Sequence, residues 1–267
     1  MKRAAIMTLI LGAVAAVPLV GQTVPGEHLP ESYEPVLFPL SVRGEITGAQ
    51  GSLWTSQSAI MNRASERRLF GYLTLSGNAR RYLDPGEVQA PPSPPADGEA
   101  SLVWIQTGKR HDYAFSQRVF ELSRPWNAAG VEIPVVTLNE AFAGSLTILR
   151  VPVTEGHRIH LRIFDLMSTL DGRVRVELFE FGFNHSLNGW KRLADFEVGL
   201  GGAPPRSTPF LETEPGYARL NLREHGPLTD GTALRIDVTP LDEGMRIWAL
   251  ITLTDNVSQT ATIVTPQ

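Results

Sequence analysis

Arg158-Ile159-His160-Leu161-Arg162-Ile163-Phe164 and Arg173-Val174-Arg175-Val176-Glu177-Leu178-Phe179 alternate polar and apolar residues with a period of two. Successive side chains of a strand point to opposite faces, so each stretch reads as a strand with one buried and one wet face. Asp171-Gly172 lies in the short segment between them, and the two stretches are read as an antiparallel hairpin. The same period recurs at 194–200, 217–222, 234–238 and 246–253, which predicts half-buried antiparallel strands along the chain. The fold class that follows is all-β.

With 267 residues, 42% of them hydrophobic and 19% charged, the chain has room for two small sandwiches. Its 24 glycines and 20 prolines suit many tight turns and few long helices. The formal net charge is −4, and removal of Lys2 and Arg3 with a leader takes it to −6. Phosphate neutralisation needs a basic excess, so nucleic acid is not expected as a partner. There is no cysteine, which excludes disulfides, thiolate metal sites and cysteine nucleophiles. An exported chain of this kind holds itself by core packing, which fits a bacterial source.

Met1-Lys2-Arg3 precedes an apolar run from Ala4 to Val20, with small residues at Ala13-Val14-Ala15. This pattern reads as a signal peptide over 1–22, and Pro18 and Gly21 argue against a retained anchor. Residues 23–34 form a tether, 35–123 a first sandwich, 124–137 a linker and 138–267 a second sandwich. No later segment is long and apolar enough to span a bilayer, so the expected location is secreted or periplasmic. In the first sandwich, 102–106 and 113–122 are read as a hairpin around Gly108-Lys109-Arg110, and the prolines at 91–95 as an exposed extended loop. Each half ends in strands that carry one tryptophan, Trp104 or Trp248, a pattern suggestive of internal duplication.

Gly51-Ser52-Leu53-Trp54-Thr55-Ser56 with Asn62 forms one motif, and Ile247-Trp248-Ala249-Leu250-Ile251-Thr252-Leu253-Thr254-Asp255-Asn256 with the closing Thr262-Ile263-Val264-Thr265-Pro266-Gln267 forms another. Together they resemble secreted tandem β-sandwich modules of environmental bacteria, in which a G-S-x-W-x-T corner opens one sandwich and an A-x-x-x-x-x-D-N strand-turn closes the other. The resemblance implies an immunoglobulin-like all-β fold and no assigned activity.

Catalytic signatures are missing from the sequence. There is no G-x-S-x-G elbow, and His111-Asp112 beside Ser116 has no motif spacing. His157 and His160 stand three apart on a strand, hence on opposite faces, and cannot share a metal. Asp165, Asp171, Asp230, Asp242 and Glu243 fall in predicted turns without an EF-hand spacing, so loop-bound calcium is the only cofactor left open. Arg158, His160 and Arg162 against Arg173, Arg175 and Glu177 form a basic stripe on the expected hairpin. It is suited to an anionic polysaccharide or an acidic protein partner, or else to pairing with Asp195, Glu197 and Asp237 on neighbouring strands. Trp54, Trp126 and Trp190 are the candidates for stacking on a sugar. The expectation is an exported, non-enzymatic structural or protein-interaction module. A carbohydrate-binding module using Trp190 or Trp126 with the basic face is the alternative.

Overall fold

A computed structural model describes residues 33–42, 44–74, 77–91, 99–124, 129–169, 171–181, 189–201 and 215–267. The expected signal peptide and most of the tether lie outside the described residues, as does Trp126. The described chain is all-β and antiparallel, with no α-helix.

The N-terminal half contributes β1 (Tyr33–Ser41), β2 (Ile46–Thr47), β3 (Leu53–Asn62), β4 (Arg68–Thr74), β5 (Gly77–Leu83), β6 (Val88–Gln89), β7 (Glu99–Gln106), β8 (Tyr113–Glu121), β9 (Val131–Glu132) and β10 (Val136–Thr137). The C-terminal half contributes β11 (Leu146–Pro152), β12 (His157–Asp165), β13 (Arg173–Phe181), β14 (Trp190–Gly199), β15 (Gly216–Asn221), β16 (Ala233–Pro240), β17 (Ile247–Asp255) and β18 (Ala261–Val264). Four sheets result. Sheet I has the order β10-β1-β7-β4-β5, and sheet II has β2-β3-β8-β9 with β6 also paired to β3. Sheet III has the order β15-β12-β17-β18, and sheet IV has β11-β16-β13-β14. Strand for strand, β1-β7-β4-β5 repeats as β11-β16-β13-β14, and β6-β3-β8-β9 repeats as β15-β12-β17-β18.

Two expected hairpins are not formed. β12 pairs with β15 and β17 in sheet III, whereas β13 pairs with β14 and β16 in sheet IV. The segment containing Asp171-Gly172 is therefore an arch between facing sheets. The N-terminal half does the same thing: β7 lies in sheet I and β8 in sheet II, so the turn at Gly108-Lys109-Arg110 is a second arch. Alternation reports which face a side chain takes and says nothing of which strand lies alongside.

Three apolar clusters hold the sheets together. Ile159, Leu161 and Ile163 of β12 pack with Val174, Val176 and Leu178 of β13 between sheets III and IV. Val36, Phe38, Ile60, Phe70, Val103 and Tyr113 fill the space between sheets I and II. The third cluster joins the halves: Leu37, Leu40, Leu102 and Val136 meet Phe164, Trp248 and Leu250. A bulge in β1 between Phe38 and Ser41 brings Leu40 to the same side as Leu37. β17 is thus not half-buried as its reading at 246–253 predicts. Residues 247–253 are all buried, with Ala249 and Ile251 facing one cluster and Trp248 and Leu250 the other. The run Ile247-Trp248-Ala249-Leu250-Ile251 carries the sign of two-sided burial in its unbroken apolarity.

Candidate functional site

The face of sheet III that meets the N-terminal half changes character along its length. At one end Phe164, Trp248 and Leu250 are sealed in the shared cluster, with the Phe164 ring stacked on Tyr217 at a centroid distance of 5.3 Å. At the other end the same face carries Arg158, His160 and Arg162 from β12, Arg219 from β15, and Thr252 and Thr254 from β17. These residues line a cleft of about 430 Å³ between the halves. The opposite wall comes from the N-terminal half, with Leu40, Val42, Ile46, Trp54, Val119 and Ile133.

Arg162 and Arg219 are direct cross-strand partners, an arrangement of like charges that is unfavourable unless something neutralises it. The Arg162 Nη1 donates to the Tyr217 hydroxyl at 2.6 Å, and the Arg158 Nη2 donates to the Gln259 Oε1 at 2.6 Å. The Nε atoms of both arginines are shut off from solvent and have no hydrogen-bond partner among the described residues. Among the described residues none of Arg158, Arg162 and Arg219 has a carboxylate within 4 Å, although Arg67, Arg68, Arg173, Arg175, Arg192, Arg223 and Arg235 all do. Burial pushes the Arg158 and Arg162 guanidiniums below their usual range. Burial, reinforced by Arg162, Arg219 and Arg158, drives the His160 imidazole down to about 4. At neutral pH His160 is therefore an uncharged ring among permanent cations.

Two strained turns meet at the rim. Gln50, in the turn Ala49–Gly51, and Gln259, after β17, both have positive φ, at 56° and 57°. For a residue with a Cβ that region is costly, and such residues concentrate at sites where the fold overrides local preference. Gln259 Nε2 donates to Gln50 Oε1 at 3.4 Å across the two halves, while its Oε1 holds Arg158. The Gly51-Ser52-Leu53-Trp54 corner builds the far wall. Trp54 Nε1 donates to Ser52 Oγ at 2.9 Å, and Ser52 Oγ donates to the Ala49 carbonyl at 2.8 Å. A Cβ on Gly48 would stand 2.5 Å from Ser52 Oγ and 2.8 Å from Trp54 Nε1, so the indole presses directly on the glycine backbone.

The expected basic stripe is split between two surfaces. Arg158, His160 and Arg162 enter the cleft on sheet III, whereas Arg173, Arg175 and Glu177 lie on the outer face of sheet IV. There Arg173 pairs with Glu197 and Asp242 at 3.4 Å, and Arg175 with Asp195 at 2.5 Å. Arg192 joins Glu177 and Asp195 in the same network. Pairing with Asp195 and Glu197 thus accounts for one half of the stripe and leaves the other half without a carboxylate partner among the described residues, while Asp237 is taken by Arg235. Trp190 is half-buried against Phe181 on sheet IV, with ring centroids 5.3 Å apart, and is not brought near Arg158 or Arg162. Asp165, Asp230 and Asp242 are engaged separately by backbone or arginine groups. Among the described residues no three His, Asp or Glu side chains converge as metal ligands. Arg219, Tyr217, Thr252 and Gln259 carry no site signal in the sequence, because only the pairing of β12 with β15 and β17, and the turn after β17, bring them beside Arg158 and Arg162. Compared with protein-family models, curated proteins and solved structures, the chain matches none.

Proposed function

We propose that this chain is an exported, non-enzymatic binding module of the bacterial cell envelope or extracellular space, and that it holds an anion in the cleft between its two sandwiches. The observation that carries the reading is the strip of Arg158, Arg162 and Arg219, two of them directly opposed and all without a described carboxylate partner. Folding has drawn Arg158 and Arg162 partly out of water beside the exposed Arg219, with no counter-charge among the described residues, and an anionic ligand supplies it. Export rests on the cationic head and apolar run of residues 1–20. That the module is non-enzymatic rests on the sequence, which carries no G-x-S-x-G elbow and no spaced nucleophile–histidine–acid motif.

The repeated strand order of the two halves supports an origin by internal duplication. The sandwiches are immunoglobulin-like in architecture, two antiparallel sheets face to face. Their strand order is their own, since an immunoglobulin constant domain keeps its first, second, fifth and fourth strands in one sheet. Here sheet IV holds the first, sixth, third and fourth strands of the C-terminal half. A second reading, an acidic saccharide as the ligand, draws support from the Trp54 indole in the cleft wall.

The test is thermal unfolding at constant ionic strength with chloride exchanged for millimolar sulfate or acetate. The native chain gains a few degrees, as expected for a ligand that binds only the folded state. The double variant Arg162→Gln/Arg219→Gln gains none. Equal shifts in the two proteins would show a general salt effect and end the reading.

A further inference from the structure

We infer that the anion is an amphiphile: a carboxylate head on an apolar body such as an alkyl chain. This rests on the reading of the cleft as an anion site and adds the chemistry of the rest of the ligand. The cleft has two unlike sides. Guanidiniums rise from β12 and β15, and a guanidinium fork matches the two oxygens of a carboxylate. Facing them stand Leu40, Val42, Ile46, Val119 and Ile133, with Ile263 of β18 at one side. Val42, Ile46, Val119 and Ile263 retain solvent contact, so the wall is an apolar surface left open beside a charged strip.

A saccharide fits such a wall poorly. Its ring hydroxyls need hydrogen-bond partners on every side, and the aliphatic side chains offer none. An alkyl body needs only displacement of water from that wall, which is favourable in proportion to the area covered. The cleft of about 430 Å³ falls in the small-molecule range. At roughly 30 Å³ per water-sized group, it takes a body of on the order of ten heavy atoms. His160 fits the same picture, as a neutral ring on β12 between Arg158 and Arg162 that lines the same cleft.

The experiment is calorimetric titration of the full chain with straight-chain carboxylates from butanoate to dodecanoate. Decanol, acetate, sulfate and a uronate disaccharide complete the set of probes. Affinity is expected to rise about fourfold per methylene and to level off near ten carbons. Decanol is expected to bind at least tenfold more weakly than decanoate. Arg219→Gln, at an exposed position where an unchanged thermal midpoint is expected, is expected to weaken decanoate about tenfold and leave decanol unchanged. Ile263→Ser is expected to flatten the chain-length series while leaving acetate unchanged. Acetate and sulfate binding as tightly as decanoate overturns the amphiphile and leaves the anion site standing. Tighter binding of the uronate overturns it in favour of the saccharide. If none of the anions binds, both the amphiphile and the anion site fall.

Discussion

His160 titrates against its surroundings. Burial is the largest cause, Arg162, Arg219 and Arg158 add to it by opposing protonation, and the nearby acid Glu224 favours protonation more weakly than any of these. Its folded value near 4 lies below the ordinary 6.5, so below pH 6.5 the unfolded chain takes up a proton that the folded chain refuses. Stability is therefore unaffected by this residue above pH 6.5 and falls as the pH drops from 6.5 towards 4. Full desolvation would make that loss about 3 kcal/mol, and the partial exposure of His160 reduces it. Denaturant midpoints at pH 7 and pH 5 for the native chain and His160→Gln check this. The native chain is expected to lose more, and equal losses refute the assignment. A bound anion raises the imidazole value and narrows the difference. None of this is legible in R-I-H-L-R-I-F. Alternation puts His160 on the face of Arg158 and Arg162, but a wet face and a buried cleft share one pattern.

At the level of elements, the arch from β12 to β13 explains why a correct strand reading produced a wrong pairing. Asp165 ends β12 fully buried, with its carboxylate accepting the amides of Met167 at 3.1 Å, Thr169 at 2.8 Å and Arg246 at 3.0 Å. Those bonds bend the chain away from sheet III and tie the bend to the residue just before β17. In the sequence the same aspartate is only a turn residue, or a calcium candidate, because its third partner lies 81 positions away. Asp165→Ala leaves three part-buried amides without their acceptor, and a loss of about 2–4 kcal/mol is expected in the denaturant midpoint. A loss under about 1 kcal/mol would show that the arch is held by packing alone.

Across the whole molecule, the two halves share an apolar seam instead of a flexible joint. Trp248 is 5% exposed and packs with Phe164, Leu250 and residues of β1 and β7. The native chain is expected to unfold in a single calorimetric transition. Trp248→Ala is expected to cost about 3–5 kcal/mol and to broaden or divide that transition as the halves lose their coupling. An unchanged single transition would mean that each half is stabilised without the seam. The seam also holds the cleft, since Gln50 and Gln259 meet across it and the arginines of sheet III gain their apolar wall only when the halves dock.

By itself the sequence determined that this is a protein of antiparallel strands, because a period of two in polarity is a local property and each strand carries its own record of it. It also determined that the chain works without thiol chemistry, by the plain absence of cysteine. Only the tertiary structure decided that R-I-H-L-R-I-F and R-V-R-V-E-L-F lie in facing sheets, one turned to a cleft and the other to solvent. The reason is physical. A side chain's face follows from its own strand, whereas its neighbours, its charge partners and its access to water follow from what packs above it.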